Sequence, residues 1–396
     1  MVSPTRYNQG MPFDFDAPVN RINSDSIRWD RYSANDVIPL WVADMDFQSP
    51  PCVLEGLSER IQHGVFGYTH APDSLRREIT LYLADQYNWE VNPEWIVILP
   101  SVVSGLYTAV RQLTNSEEHL IVPQPVYHHL RLACSEGPRP YTEIPLALEN
   151  DRWVLPWQAL DPFCQDNTKM ALLCNPQNPG GTVYTKSELL QFAAYCEAHD
   201  LLICSDEIHA GLVLDEQNRH VPIASLDQGI SMRTVTLMSL NKVFNFPGIG
   251  LAWAVAENPR LRAAMQTDLH RTIAEPGLIA YTATMAALRD GEVWRQSLLQ
   301  YLRGNRDYVV GRIQAMPPLT LAKTEASYLA WIDCSALGCA DPHALFLSFG
   351  LALSPGTQFN VPQFVRLNFG TQRALLAQAM DRMALAVASV KRKLAY

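Results

Sequence analysis

The chain has 396 residues, of which 48% are hydrophobic and 18% are charged, and it carries a formal net charge of −9 with a pI of about 5.6. This composition is typical of a globular protein with a large core, and the length corresponds to two or three domains. Because the balance is acidic and the chain has no basic tract, we expect neither nucleic acid nor an anionic membrane as a partner.

The eight cysteines form no Cys-x-x-Cys pair, and Cys174 and Cys204 lie in apolar runs where a thiol packs as a small hydrophobic group. This pattern favours reduced cysteines and a cytoplasmic location. Residues 1–16 lack the apolar core of a signal peptide, and no apolar stretch approaches membrane-spanning length. The sequence therefore predicts a soluble protein with no membrane partner.

The first fifty residues are rich in Asp, Pro and Asn and show little periodicity, so residues 1–47 are predicted to form an extended N-terminal arm that packs with the small domain. Helical spacing begins after residue 72. There Leu75, Ile79 and Leu83 share one face, and Asp73 is predicted to be the N-cap of the helix.

Short apolar runs then alternate with helical stretches as far as about residue 257. The runs cover residues 96–99, 120–122, 170–173, 201–204, 235–238 and 251–255. Continuous apolarity indicates strands that are buried on both faces, as in a mostly parallel central sheet covered by helices. A capping box at residues 185–188 predicts the start of one such helix. We predict an α/β large domain over residues 48–285.

A smaller α+β domain is predicted over residues 286–396. A long helical region runs from about residue 276 to residue 315 and leads into this part of the chain. Strand-like patterns follow at residues 328–332 and 364–368, with a turn predicted at residues 354–356 and a helix at the end of the chain.

Chemically useful groups follow four of the predicted strands, where ligands bind in an open parallel sheet. Asn178 follows the strand that ends at residue 173, and Asp206 follows the strand that ends at residue 204. Ser239 and Lys242 follow the strand that ends at residue 238, and small residues follow residue 99. An amine that can form a Schiff base and a carboxylate that can keep a pyridine nitrogen protonated together suggest a site for pyridoxal 5'-phosphate (PLP).

Each of these signals also has an ordinary structural explanation. Asn-Pro and Pro-Gly dipeptides are common in turns, an acid after a strand is often a helix cap, and a lone lysine is usually a surface residue. Their joint occurrence, in this order and at these strand ends, favours a functional site.

Six motifs carry a family resemblance. They lie at residues 39–47, 66–68, 175–180, 205–209, 239–245 and 365–370. In these motifs the chain resembles the fold-type I PLP-dependent enzymes of the class I/II aminotransferase superfamily, and within them the MalY/PatB group of cystathionine β-lyases, also called C–S lyases. The resemblance covers nearly the whole chain. It implies the fold of a fold-type I PLP-dependent transferase, with PLP as the cofactor.

The resemblance implies a role for each residue at the cofactor ring. Lys242 would form the Schiff base with PLP and then act as the base on the substrate α-proton. Asp206 would hold the pyridine nitrogen protonated, Asn178 would donate to the phenolic oxygen, and Tyr127 would stack on the ring. His209 would lie near the ring or support Asp206.

Further roles concern the phosphate and the substrate. The phosphate would rest on the backbone amides of Val102 and Val103 at a helix start, and Ser239 would add a hydroxyl. Tyr68 would reach the phosphate of the neighbouring subunit as part of the catalytic set, which implies a homodimer with shared active sites. Arg366 would clamp the substrate α-carboxylate in a bidentate pair.

The substrate pocket would be shaped by the backbone of Val42 and Ala43 and by residues 328–331.

Two positions depart from the pattern of the superfamily. Gly250 stands where many members have an Arg or Lys that faces the phosphate, which predicts modest cofactor affinity. Ser101 stands where a glycine is usual, so the sequence does not fix the geometry of the phosphate loop.

No metal site is predicted. Asp206 and His209 have a suitable spacing, but the sequence offers no third ligand nearby. His128 and His129 are adjacent, and in an extended chain their side chains would point in opposite directions.

We expect a PLP-dependent lyase that cleaves L-cystathionine or a related L-cysteine S-conjugate to a thiol, pyruvate and ammonia. Two alternatives remain open at this point. An aminotransferase would use the same residues up to removal of the α-proton, and a PLP-binding protein could serve mainly in a regulatory interaction.

Overall fold

The structure is a computed structural model that describes residues 12–32, 36–269 and 271–394. Its α-helices are α1 (Ile27–Asp30), α2 (Pro51–His63), α3 (Asp73–Tyr87), α4 (Val102–Leu113), α5 (His128–Glu136), α6 (Lys186–Ala198), α7 (Gln228–Ser231), α8 (Pro259–Thr267), α9 (Leu278–Asp290), α10 (Glu292–Gln314), α11 (Pro342–Ser348) and α12 (Arg373–Leu394). Its strands are β1 (Ile38–Pro39), β2 (Ile96–Leu99), β3 (His119–Gln124), β4 (Tyr141–Pro145), β5 (Ala147–Glu149), β6 (Arg152–Val154), β7 (Thr168–Cys174), β8 (Leu202–Asp206), β9 (Thr234–Met238), β10 (Ala252–Val255), β11 (Thr320–Leu321), β12 (Leu329–Asp333), β13 (Leu351–Ala352), β14 (Ser354–Pro355) and β15 (Phe364–Asn368).

A seven-stranded sheet lies at the centre of the larger part of the molecule, with the strand order β2-β10-β9-β8-β7-β3-β4. Strand β10 runs antiparallel to both of its neighbours, and the other strands run in one common direction. Every residue of β2, β9 and β10 is buried, as expected for strands that are covered on both faces. The predicted α/β fold with a mostly parallel central sheet is therefore confirmed.

The apolar runs predicted the inner strands well, but they did not predict the edge strand β4. The strand at the other edge, β2, is fully buried, but in β4 only Ile144 is buried. Its sequence therefore lacks the continuous apolarity on which the prediction relied.

The capping box and the long helical region are confirmed, and the predicted N-cap is wrong. The capping box at Thr185 is present and starts α6. Asp73 is not an N-cap, because Pro72 holds that position and Asp73 is already the first helical residue. The long helical region is two helices, since Gly291 separates α9 from α10. A Cβ at Gly291 would lie 2.5 Å from the carbonyl oxygen of Ala287.

The C-terminal part contains an antiparallel four-stranded sheet with the order β11-β12-β15-β14. The turn predicted at residues 354–356 was wrong, because residues 354–355 form β14 and the chain turns only afterwards, in a 3₁₀ helix over Gly356–Phe359. In the N-terminal segment, β1 pairs in parallel with β13, so this segment contacts the C-terminal part directly.

The division into three domains stays a prediction. Residues 1–11 and 33–35 of the predicted arm lie outside the described residues, and the predicted boundary at residue 285 falls within α9. The arm is anchored by Phe15, whose ring lies 5.2 Å from the ring of Phe47 and 5.5 Å from that of Trp294. None of the helices in the described ranges combines the length and the apolarity that crossing a bilayer requires.

Candidate active site

The candidate site lies at the carboxyl ends of the three adjacent parallel strands β7, β8 and β9. The strand register places Asp206 between Cys174 of β7 and Leu237 of β9. The segments that follow β7 and β9 carry Asn178 and Lys242, so both residues start from the same edge of the sheet. The topology therefore brings the amide, the acid and the amine of the sequence prediction to one crevice.

Lys242 is partly buried, and its amine donates a hydrogen bond to the carbonyl oxygen of Ala43 at 2.7 Å. Burial lowers the pKa of Lys242 to about 8, with the charges of Asp44 and Asp206 opposing this shift and that of Arg366 adding to it. A lysine with such a pKa is partly neutral near physiological pH. It can therefore act as a nucleophile and as a base, which an ordinary lysine does poorly.

The carboxyl group of Asp206 is 2% exposed and accepts a hydrogen bond from the backbone N–H of Ile208 at 3.1 Å. Burial raises the pKa of Asp206 to about 7; the Ile208 hydrogen bond and the charge of Lys242 oppose this shift, and the charge of Glu207 adds to it. A buried carboxylate of high proton affinity binds strongly to a cationic N–H group. Asp206 thus suits a protonated ring nitrogen.

Arg366 reaches the site from β15 and is held by three groups. Its Nη1 donates to Asn178 Oδ1 at 3.0 Å, and its Nη2 donates to the carbonyl oxygen of Trp41 and to Ser354 Oγ, each at 3.2 Å. Its guanidinium lies 5.0 Å from the ring centre of Phe359, and its buried Nε has no hydrogen-bond partner. Burial lowers the pKa of Arg366 to about 10, so it remains charged at neutral pH and can bind a carboxylate.

Replacing Arg366 should therefore weaken substrate binding more than it slows the chemical step. We expect Arg366→Lys to raise KM about 10- to 100-fold, because a lysine cannot form the bidentate pair with a carboxylate. Steady-state kinetics would measure this effect, with Arg312→Lys on the surface as the matched control. An unchanged KM in Arg366→Lys would remove Arg366 from the substrate site.

Tyr127 and His209 face the same charged groups. Burial and the charge of Asp206 raise the pKa of Tyr127 to about 12, and the charge of Arg366 opposes the shift. Burial and the charges of Lys242 and Arg366 lower the pKa of His209 to about 3, so its imidazole is neutral. The Nδ1 atom of His209 is buried and has no hydrogen-bond partner. Both rings thus lie close to charged groups of the site, and their contact with a cofactor stays a prediction.

The predicted phosphate loop forms an unstrained helix start. Ser101 is the N-cap of α4, its backbone is extended (φ −160°), and it forms a reciprocal capping box with Ser104. A serine therefore replaces the usual glycine at no conformational cost. Val102 and Val103 occupy the first turn, where backbone amides have no acceptor within the helix and can bind an anion.

Ser239 and Gly250 lie next to this loop. The Ser239 hydroxyl donates to the carbonyl oxygen of Leu251 at 2.6 Å. Gly250 packs its backbone against the residue before the phosphate loop, so that a Cβ at this position would lie 2.7 Å from the carbonyl oxygen of Pro100. A side chain at residue 250 therefore requires the loop backbone to move, and no cation can be supplied from this position without that movement.

We predict that Gly250→Arg does not restore tight phosphate binding. The contact with Pro100 should destabilise the fold by about 1–3 kcal/mol and shift the phosphate loop. Thermal unfolding and a PLP titration of the apoprotein would measure both effects. Gly248→Arg is the matched control, because a Cβ at Gly248 would meet no atom within 4 Å. Tighter PLP binding in Gly250→Arg alone would contradict this account.

The backbone of residues 41–45 lines the site with carbonyl oxygens. Besides Lys242, Ala43 O accepts a hydrogen bond from the hydroxyl of Tyr328 at 2.9 Å. Asn368 Nδ2 donates to the carbonyl oxygens of Val42 at 2.5 Å and of Asp44 at 2.6 Å. The prediction places Val42 and Ala43 at the substrate pocket; in the structure the Ala43 carbonyl contacts Lys242 and Tyr328, and the Val42 carbonyl contacts Asn368.

Sequence reasoning gave no role to three residues that hold this backbone in place. They are Ser354, Asn368 and Asn245, and the last of these donates to the carbonyl oxygens of Met45 and Phe47 at 2.9 Å and 2.6 Å. Asn245 and Asn368 lie inside the motifs at residues 239–245 and 365–370, so those motifs were the available signal.

Tyr68 is not brought to the site of its own chain. It lies in a segment without helix or strand and is fully exposed, at 113% of its reference area.

His128 and His129 do not lie in an extended chain, since both begin α5 and their ring centres lie only 4.5 Å apart. Within residues 12–32, 36–269 and 271–394, no group of three His, Cys, Asp or Glu side chains could hold a metal ion.

These residues fit PLP. A partly buried amine of lowered pKa and a buried acid of raised pKa match the aldehyde and the ring nitrogen. The first turn of α4 suits the phosphate, and Tyr127 offers an aromatic face. His209 Nδ1 and Arg366 Nε are buried polar atoms that have no partner among the described residues, and such atoms usually find a partner in the complete assembly.

The model of the family "Aminotransferase class I and II" matches residues 35–383. A curated relative, the cystathionine β-lyase PatB of Bacillus subtilis (strain 168), is 30% identical over 386 residues, which cover 94% of this chain and all of PatB. The chain belongs to the class I and II aminotransferase family and, within it, to the MalY/PatB group of fold-type I PLP-dependent enzymes.

Solved structures agree with this assignment. A crystal structure of the protein OvoB is 41% identical, with a TM-score of 0.93 over 95% of this chain and all of OvoB. Cystalysin from Treponema denticola, whose structure contains PLP, is 26% identical, with a TM-score of 0.91 over 96% of this chain and all of cystalysin. The predicted cofactor and the predicted enzyme class are thereby confirmed.

Proposed function

We propose that the chain is a PLP-dependent carbon–sulfur β-lyase that cleaves L-cystathionine or a related L-cysteine S-conjugate. The observation that carries the proposal is the set of buried Asp206, buried Arg366 and partly buried Lys242, found in a chain that aligns over its length with a relative named cystathionine β-lyase. The products are a thiol, pyruvate and ammonia.

PLP, when bound, withdraws electrons from the substrate Cα and makes its proton acidic. Arg366 binds the α-carboxylate and so fixes the orientation of the Cα–H bond. Lys242, with its lowered pKa, accepts the α-proton at Nζ. Asp206 would stabilise positive charge at the ring nitrogen, and the buried, neutral His209 would face the ring without adding charge.

The bond changes balance without an external oxidant or reductant. The Cα–H bond breaks and its proton moves to Lys242, while its electron pair forms the Cα–Cβ double bond. The Cβ–S bond breaks with its electron pair on sulfur, which leaves as a thiolate and gains a proton. The released 2-aminoacrylate then reacts with water to give pyruvate and ammonia.

An aminotransferase on the same scaffold differs in one respect, because it requires a keto acid as amino-group acceptor. The test is to mix the protein with L-cystathionine and to measure pyruvate and thiol with and without an added keto acid. The lyase should form pyruvate and thiol in equal amounts without the acceptor. Turnover only in the presence of the acceptor would establish the aminotransferase and overturn the proposal.

We further propose a cytoplasmic homodimer in which Tyr68 contributes to the partner's site. Several apolar side chains at the end of α2 and in the following segment are largely exposed: Ile61 at 61%, Val65 at 62% and Phe66 at 58%. Exposed apolar side chains that follow one another closely in the chain support a protein interface. Size-exclusion chromatography with light scattering should give twice the mass of the chain, which is 44.4 kDa.

A further inference from the structure

A second buried carboxylate, that of Glu207, belongs to the residue next to Asp206 in the chain and has no part in the mechanism above. Glu207 is 1% exposed and follows the last residue of β8. Its Oε1 accepts hydrogen bonds from Ser205 Oγ at 2.8 Å and from the backbone N–H of Ile223 at 3.2 Å. Its Oε2 lies 2.7 Å from Nε2 of His220, which is itself 6% exposed.

These contacts satisfy both carboxylate oxygens without an arginine or a lysine. Among the described residues, Glu207 has one ion-pair partner, His220. Other buried acids in this fold differ in this respect. Glu325, which is also 1% exposed, pairs with Arg152 at 3.0 Å and with Lys323 at 3.4 Å. The charge of Glu207 is therefore compensated less than that of a comparable buried acid.

The charge of Glu207 acts on Asp206 across one peptide unit in a region that excludes water. After burial, it is the next influence that raises the pKa of Asp206. Between buried groups this interaction is only weakly screened. The negative charge of Glu207 therefore strengthens the affinity of Asp206 for a proton.

The surroundings of the pair are asymmetric. Toward the site, the charge of Glu207 acts on Asp206 and Cys174; on the other side it acts on Tyr87, which also interacts with Tyr82 and Arg295. On that other side, the ring of His220 packs edge-on against Tyr87 at 5.4 Å. The hydroxyl groups of Tyr87 and Tyr82 lie 3.2 Å apart.

We propose that Glu207, held in place by His220, is a positioning residue that keeps the pyridine nitrogen of the cofactor protonated by acting through Asp206. The positive charges of Lys242 and Arg366 lower the proton affinity of the ring nitrogen, and Asp206 alone opposes this effect only in part. The second negative charge offsets this loss. The inference depends on the cofactor and is independent of the identity of the substrate.

The test uses the holoenzyme loaded with [15N-pyridine]PLP, without substrate. The 15N chemical shift reports protonation of the ring nitrogen, and a PLP titration gives the dissociation constant. We expect Glu207→Gln to move the 15N resonance at pH 8 toward that of unprotonated pyridine. The PLP dissociation constant should rise about tenfold, which corresponds to one pKa unit of proton affinity. His220→Gln keeps a donor to Glu207, so its 15N shift should stay near that of the parent protein.

Glu325→Gln is the matched control, because it removes a buried carboxylate outside this chain of charges. It should lower thermal stability and leave the 15N shift unchanged. A Glu207→Gln protein with the parental 15N shift from pH 6 to pH 9 would overturn the proposal and leave Glu207 with a purely structural role. Should Glu207→Gln fail to fold, the double variant Glu207→Gln with His220→Gln pairs amide with amide and is expected to give the same 15N change.

A failed lyase assay would not affect this readout, since no turnover is needed. Conversely, an unchanged 15N shift would leave the proposed reaction intact. The two proposals are thus tested by separate measurements.

Discussion

Lys242→Ala should reduce pyruvate formation from L-cystathionine by at least about 10⁴-fold, because it removes both the amine that binds the cofactor and the base that accepts the α-proton. The visible absorbance of the bound cofactor should disappear at the same time. Absorbance spectra and single-turnover kinetics would measure the two effects. Because the site disfavours the charged amine and Lys242 is only partly buried, removing the side chain relieves a desolvated charge, and the fold itself should tolerate the substitution.

Lys169→Ala provides the control for Lys242→Ala. Lys169 is a lysine of the same sheet region that pairs with Asp200 at the surface, and it should be dispensable. Unchanged absorbance and unchanged turnover in Lys242→Ala would refute the central assignment of the site.

Asp206→Asn should slow turnover by about 10³-fold, the size of effect seen when a preorganised electrostatic partner is lost. The amide has the shape of the carboxylate but cannot hold the ring nitrogen protonated. The same change should stabilise the apoprotein at pH 8. The pKa of Asp206 is raised to about 7, so the fold favours the protonated form. That favourable contribution is complete below the ordinary value of 3.8 and is lost as pH rises through about 7.

At pH 8 the ionised buried carboxylate thus lowers the stability of the apoprotein, and asparagine carries no such charge. We expect the apoprotein Tm to rise by about 1–3 °C in Asp206→Asn at pH 8 and to change little at pH 4. Asp200→Asn, at an acid whose side chain is 85% exposed, is the control. A lower Tm at pH 8 in Asp206→Asn would show that the carboxylate is stabilised in the apoprotein, contrary to our account.

The sequence predicted the inner strands and the residues that follow them, because burial on both faces leaves a continuous apolar run. Asn178, Asp206 and Lys242 could therefore be assigned to one edge of the sheet before any coordinates were known. The edge strand β4 and the short strand β14 could not be predicted in this way, because they are stabilised by pairing with their neighbours and have no apolar signal of their own.

The site itself was predictable only in part. Arg366 was named by resemblance, but its partners Asn178, Ser354 and Trp41 come from distant parts of the chain and meet only through the tertiary fold. The pairing of Glu207 with His220 spans 13 residues and left no local pattern. The collision that any side chain at Gly250 would make with Pro100 depends on the approach of two backbones, which a single sequence cannot reveal.

The carbonyls of residues 41–45 have a consequence for protein engineering. Because these residues contact Lys242 and Arg366 through the main chain, substitutions at Val42 should be tolerated more readily than a change in chain length. Deleting one residue between β1 and Asp46 would shift the register of this segment by one residue and present the wrong carbonyl to each donor. Tags are best joined ahead of Phe15, which leaves this spacing untouched, and libraries that aim at new substrates can vary side chains here while keeping the residue count fixed.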